Sequence, residues 1–158
     1  MTTATVAPRT TNRRLVYIIL IGSAVALTLG VYGNVHDPTG RSLVSLFFTA
    51  TINAKVWLAT IAIAFAGLQL YSALRIYGKL GTGDAPTWLG SAHRLSGTAA
   101  FWISIPVAYH CLWALGFTAD AGTRVLVHSI LGCFFYGAFA AKVLAVRSRD
   151  LPSWVLPV

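Results

Sequence analysis

The sequence predicts an all-α fold, a polytopic transmembrane helix bundle of four spans with one short interfacial helix. Three observations carry that prediction. Of the 158 residues, 56% are hydrophobic and only 10% are charged, whereas a soluble domain averages about 25% charged residues. The apolar residues gather into runs long enough to cross a bilayer, which takes roughly 20 residues. The basic residues, finally, are segregated to one side of those runs. The length allows one bundle and no second globular domain.

The formal charge of +8 is a topology signal, not a nucleic-acid footprint. Arg9, Arg13 and Arg14 precede the first run, Arg75, Lys79 and Arg94 flank the second connection, and Lys142, Arg147 and Arg149 follow the last run. Only Arg41, Lys55 and Arg124 fall on the other side. Nine against three is the positive-inside pattern and predicts cytoplasmic termini. No nucleic-acid partner is expected.

Residues 1–14 are Thr-rich and polar, and read as a disordered cytoplasmic tail. The first span runs from about Leu15 to Tyr32, with Gly22, Ser23 and Ala24 as small residues within it. Because its apolar run continues past Ala24-Val25-Ala26 through Val31, it reads as an uncleaved anchor and not as a signal peptide. Gly33 to Gly40 is a turn-rich outer loop containing His36, which reads as a solvated turn residue or, alternatively, as a cover over an outer-facing site. "LVSLFFTATIN" (Leu43 to Asn53) is apolar but short, hence the interfacial helix. The second span follows, about Val56 to Leu74, with Lys55 snorkelling at the outer boundary. Gly81, Gly83 and Pro86 break the inner loop. The third span covers about His93 to Phe117 and the fourth about Arg124 to Val146. The transmembrane domain is therefore 15–146. The tail 147–158, "RSRDLPSWVLPV", has two prolines and an interfacial Trp154, and it suggests a fifth span beyond this chain.

The third and fourth spans are joined by a tight connection near Asp120, so they are antiparallel neighbours. His110 lies about ten residues before that centre and His128 about eight after it, so their depths differ by roughly 3 Å. Ionisable groups at such depth are costly and point to function. Two imidazoles at one level on facing helices suit bis-imidazole ligation of one b-type haem, which needs a nitrogen ligand on each porphyrin face. Gly132 shares the face of His128 and admits a flat ring. Pro106, one turn before His110, is expected to kink the third helix and splay it from its neighbour. Trp113, Phe135 and Tyr136 supply aromatic packing. The bland alternative is helix–helix hydrogen bonding by each histidine, worth about 0.6–2 kcal/mol. A copper or zinc site on His110, Cys111 and His128 is weaker, because adjacent helical residues point in different directions.

His93 lies roughly 25 Å along the axis from His110 and has no histidine at matching depth on the fourth span, so a second haem is not expected. His93 and Arg94 read as an interfacial anchor pair or as a contact for lipid phosphate, a propionate or a quinone head group. Gln69 and Tyr71 are explained by helix–helix hydrogen bonding. The four acidic residues, Asp37, Asp84, Asp120 and Asp150, all lie outside the spans, and there is no Glu. Carboxylate-driven proton pumping is thereby disfavoured. No nucleophile–base set or phosphate loop supports hydrolytic or phosphoryl-transfer chemistry.

The segments "HRLSGTAAFWISIPVAYHCLWALGF", "RVLVHSILGCFFYGAFAAKVLAVRSRDLPSWVLP" and "HDPTGRSLVSLFFTATINAKVWLAT" resemble a family of bacterial multi-pass membrane proteins of unassigned function. The resemblance covers nearly everything after the N-terminal tail. It implies the bacterial inner membrane and a further apolar helix after "LPSWVLP". More distantly, His110 and His128 look like the haem-binding core of small b-type membrane cytochromes, and Ser91, His93, Arg94 and Gly97 look like the quinone-side segment of succinate dehydrogenase anchors. The expected function is electron transfer as a small cytochrome or as a subunit of an oxidoreductase, with a quinone or a periplasmic redox protein as partner. The alternative is a cofactor-free accessory or scaffold subunit of a larger membrane complex.

Overall fold

Within a hydrocarbon layer, backbone N–H and C=O groups must be satisfied inside the chain, and a helix does so within one segment. The four apolar runs accordingly fold as helices. The structure is a computed structural model and describes residues 9–41, 47–48, 50–117, 122–148 and 151. Its order is α1 (Arg9–Val35), α2 (Thr51–Ile76), α3 (Leu89–His110) and α4 (Thr123–Arg147), with a π-helical turn, Cys111–Leu115, closing α3. Among the described residues there is no strand. All four helices are long and apolar enough to cross a membrane. Hydroxyl groups on them turn back onto their own helix: Thr60 donates to the Val56 carbonyl at 2.8 Å and Thr98 to Arg94 at 2.9 Å, which removes a donor from apolar surroundings.

Several boundaries differ from the sequence expectation. Arg9–Arg14, read as disordered, is the first part of α1. It holds neither proline nor glycine, and arginine is a good helix former, so a helix set by the apolar run extends through it. α3 begins at Leu89, ahead of His93, because the Leu89 amide bonds Pro86 at 3.0 Å and the Ala92 amide bonds Trp88 at 3.0 Å. Of the expected interfacial helix, residues 43–46 and 49 lie outside the described residues, and its last three belong to α2. Most of the 147–158 tail also lies outside them.

The chain divides into two compact units, one holding α1 and α4, the other running His36–Gly116 and holding α2 and α3. In each, most of the buried side chains are small or polar, and many large apolar ones are exposed. Ile18, Cys133 and Ala145 are buried in the first, and Ala54, Leu89, Ser72 and Ser96 in the second, while Leu27, Ile63 and Leu95 are exposed. Exposed apolar surface on that scale suits lipid and not water.

The α1–α4 pair is made by backbone proximity. A Cβ placed on Gly22 would lie 2.7 Å from the Gly137 carbonyl oxygen and 2.9 Å from the Ala141 Cβ. A Cβ on Gly137 would collide with the Gly22 carbonyl oxygen and lie 2.8 Å from the Ala26 Cβ. Gly22 and Ala26 on α1 thus face Ala141 and Gly137 on α4, one turn apart on each helix and running antiparallel. This is the small-xxx-small packing that brings membrane helices close enough for dispersion to act. Near the ends of the pair, the Phe117 amide bonds the Gly33 carbonyl at 2.6 Å.

Substituting Gly137 by Leu should therefore destabilise the α1–α4 pair by about 1–3 kcal/mol or more, read as a lowered midpoint of unfolding in detergent. Gly132→Leu should leave that midpoint nearly unchanged, since no atom lies within 4 Å of where its Cβ would stand. Equal midpoints for the two variants would contradict the close approach.

Candidate functional site

The antiparallel pair α2–α3 is held by polar contacts. Gln69 on α2 donates through Nε2 to the His93 carbonyl and, at 2.9 Å, to Ser96 Oγ. Ser72, fully buried, bonds the Leu68 carbonyl at 2.7 Å and meets His93 Nδ1 at 2.8 Å. With the Ser72 hydroxyl proton on the Leu68 carbonyl, His93 Nδ1 carries the proton and donates to Ser72 Oγ. Gly97 makes room, since a Cβ there would stand 2.9 Å from Gln69 Oε1. Gln69 is thus explained as the sequence suggested, but His93 is not one of an interfacial anchor pair. It turns into α2, whereas Arg94 is exposed and donates to Ser91 Oγ at 3.2 Å.

At the other end of this unit, α3 runs through Pro106 to His110 and then widens into the π turn. Proline lacks the N–H that would bond four residues back, yet the change of helix type comes at Cys111. The Gly116 amide closes the π turn on the Cys111 carbonyl at 2.9 Å, and Gly116 adopts φ 60°, a conformation glycine reaches without strain. The last carbonyls of a helix lack intrahelical partners, and the outer loop supplies them. The Thr39 amide and hydroxyl donate to the Trp113 carbonyl at 3.2 and 3.3 Å, and the Gly40 amide to Ala114 at 3.1 Å. His36 Nε2 bonds the same Trp113 carbonyl at 3.2 Å, and its ring stacks on the Trp113 indole at 4.7 Å. Tyr109 stacks on the indole as well, at 6.0 Å. His36 is therefore a half-buried capping residue and not a solvated turn residue. The loop's "HDPTG" signalled a turn; nothing in it signalled what it docks on.

His110 stands where α3 meets this turn. Its Nδ1 is buried with no hydrogen-bond partner, which costs a neutral polar group about 1–3 kcal/mol. It lines a half-open hollow between α2 and α3 together with Thr51, Ala54, Lys55, Pro106 and Tyr109. The hollow is ≈ 20 Å³, room for about one water. Pro106 and His110 are thus brought together, while Trp113 belongs to the loop contact.

In the other unit His128, Gly132 and Tyr136 follow one another at four-residue steps along α4, on one helical face. His128 is exposed and Gly132 half-buried with open space before it. Tyr136 meets Phe135 edge-on at 5.3 Å. Cys133 is buried and Cys111 half-buried, both as free thiols. Among the described residues, no three His, Cys, Asp or Glu side chains gather as a metal-binding group.

Fold and site together define a four-helix membrane-type protein with two unabsorbed imidazoles. The chain belongs to the family of unknown function DUF6529, which it matches over residues 15–158. No curated protein and no solved structure matches it significantly.

Removing the loop cap should loosen the π turn. Thr39→Val with His36→Ala deletes two of three donors to the Trp113 carbonyl, and at about 1 kcal/mol for each net hydrogen bond the amides of 113–117 should exchange roughly tenfold faster or more. Hydrogen exchange at those amides, unchanged in the double variant, would contradict the cap. Separately, Gln69→Ala should lower stability in detergent by about 0.6–2 kcal/mol.

Proposed function

We propose that this chain is a membrane b-type haem protein acting in electron transfer, as a small cytochrome or a subunit of a redox complex. On this reading His110 and His128 would hold the iron, by their similar sequence distance from the α3–α4 connection. The observation that carries it is the state of His110. Bonding across the helix pair accounts for His93, and capping accounts for His36, so the bland role for a membrane histidine is already filled twice. His110 instead keeps a sheltered nitrogen without a partner. His128 is exposed beside the open Gly132, as a ligand to a flat ring requires. The hollow at His110 admits one small group and no macrocycle. Bound iron supplies one-electron redox chemistry; the apolar helices exclude water and set the imidazoles' orientation. The charge asymmetry supports a bacterial inner-membrane location with the N-terminus cytoplasmic, and a quinone or periplasmic redox protein as electron partner.

The second reading is a cofactor-free accessory subunit of a larger membrane complex. What favours it is that direct contacts, Gly22–Gly137 in one unit and Gln69–Ser72–His93–Ser96 in the other, hold the helix pairs.

The reduced-minus-oxidised absorption spectrum of protein produced with haem in excess decides between them. The haem reading expects a Soret band that His110→Ala and His128→Ala each abolish, with helical content retained by circular dichroism, and that His36→Ala and His93→Ala keep. A spectrum without haem bands would leave the accessory-subunit reading.

A further inference from the structure

We infer that the hollow beside His110 is a binding site for a single acidic oxygen, of a carboxylate or phosphate group carried on an apolar body. Lys55 and His110 Nδ1 hold that oxygen. The inference stands whether or not haem is bound.

The first ground is charge. Lys55 sits on the second turn of α2, half-buried, in the wall of the hollow. Cations within membrane helices pair with an anion or reach water. Asp37 and Asp84 are the acids among the described residues, both exposed, and neither forms an ion pair with Lys55. The sequence leading into α2, residues 42–50, contains no acid at all. Among the described residues the chain therefore brings a cation to this point and supplies no counter-charge.

The second ground is the orphaned imidazole nitrogen in the same hollow. Thr51 adds a hydroxyl to the lining. Residues bearing an ammonium, a potential N–H and a hydroxyl thus share one lining, with no carboxylate or amide oxygen among the lining side chains. A metal cation would meet repulsion from Lys55, and an apolar guest would leave both nitrogens unsatisfied. An acidic oxygen satisfies both, with charge-assisted bonds.

Size narrows the class further. At ≈ 20 Å³ the hollow takes one oxygen and leaves the rest of the ligand outside it, against apolar helix surface. A lipid phosphate, a fatty-acid carboxylate and a porphyrin propionate share that chemistry. If His110 also ligates iron, an acceptor on Nδ1 is the partner that orients a metal-bound imidazole and raises its basicity.

The full chain in phosphatidylcholine nanodiscs tests the site, with phosphatidylglycerol, palmitate and inorganic phosphate as probes. The readouts are thermal midpoint and the ¹⁵N shift of His110 Nδ1. Saturable binding of phosphatidylglycerol or palmitate is expected, with a shift at Nδ1, and the tighter of the two identifies the source. Lys55→Met should weaken binding by roughly tenfold or more, the loss of one charge-assisted bond, while Lys55→Arg restores it. Inorganic phosphate should bind at least about tenfold more weakly, lacking the apolar body. Equal binding to Lys55→Met, or no response at Nδ1 to any probe, overturns the site and leaves a water as its occupant. Equal binding of inorganic phosphate overturns the apolar body. A Soret spectrum of the same samples separates the two ideas: Lys55-dependent binding without haem bands sinks the haem reading alone, and haem bands without such binding sink this site alone.

Discussion

A polar group in apolar surroundings must find its partner inside the protein or pay a desolvation penalty, and the helices, the α2–α3 pairing and the docked outer loop follow from that constraint. It forces the four runs into helices, where backbone groups bond within one segment. It turns Thr60, Thr98 and Ser72 back onto carbonyls of their own helices. It brings the His36–Gly40 loop onto the π turn, whose carbonyls have no helical partners left.

The two helix pairs meet the same constraint with different chemistry. α1 and α4 have few polar side chains to match, so they associate through Gly22, Ala26, Gly137 and Ala141, where missing side chains let backbones approach. α2 and α3 associate through Gln69, Ser72, His93 and Ser96, a chain of donors and acceptors that closes on itself. Dispersion between lipid-like surfaces gives little preference for one partner over another. Close backbone contact and matched hydrogen bonds are what make each pairing specific.

Measured against this economy, His110 is the exception. The other histidine side chains of the His36–Gly116 unit are engaged, His36 with the Trp113 carbonyl and His93 with Ser72, while His110 keeps a buried nitrogen unpaired in a hollow it shares with Lys55, which no acid among the described residues neutralises. A buried side-chain atom left unsatisfied, where among the described residues the others are satisfied, marks a place where something outside the chain belongs. Both the haem reading and the acidic-oxygen site start from that one departure.

The sequence by itself determined the class: apolar runs of membrane length, a one-sided basic charge, and spans free of carboxylates are properties of composition and spacing, and they survive any packing. It also marked His110, His128 and Gln69 as polar residues needing an explanation. It placed residues 9–14 and His36 wrongly, because helix propagation into a basic tail and the docking of a loop depend on neighbours that no local pattern encodes. Only the tertiary structure decided that His93 bonds Ser72, that Gly22 meets Gly137 while Gly132 stays open, and that Lys55 shares a hollow with His110. Such pairings join residues tens of positions apart, and their energies come from distance and orientation, which a linear pattern of residue types does not carry.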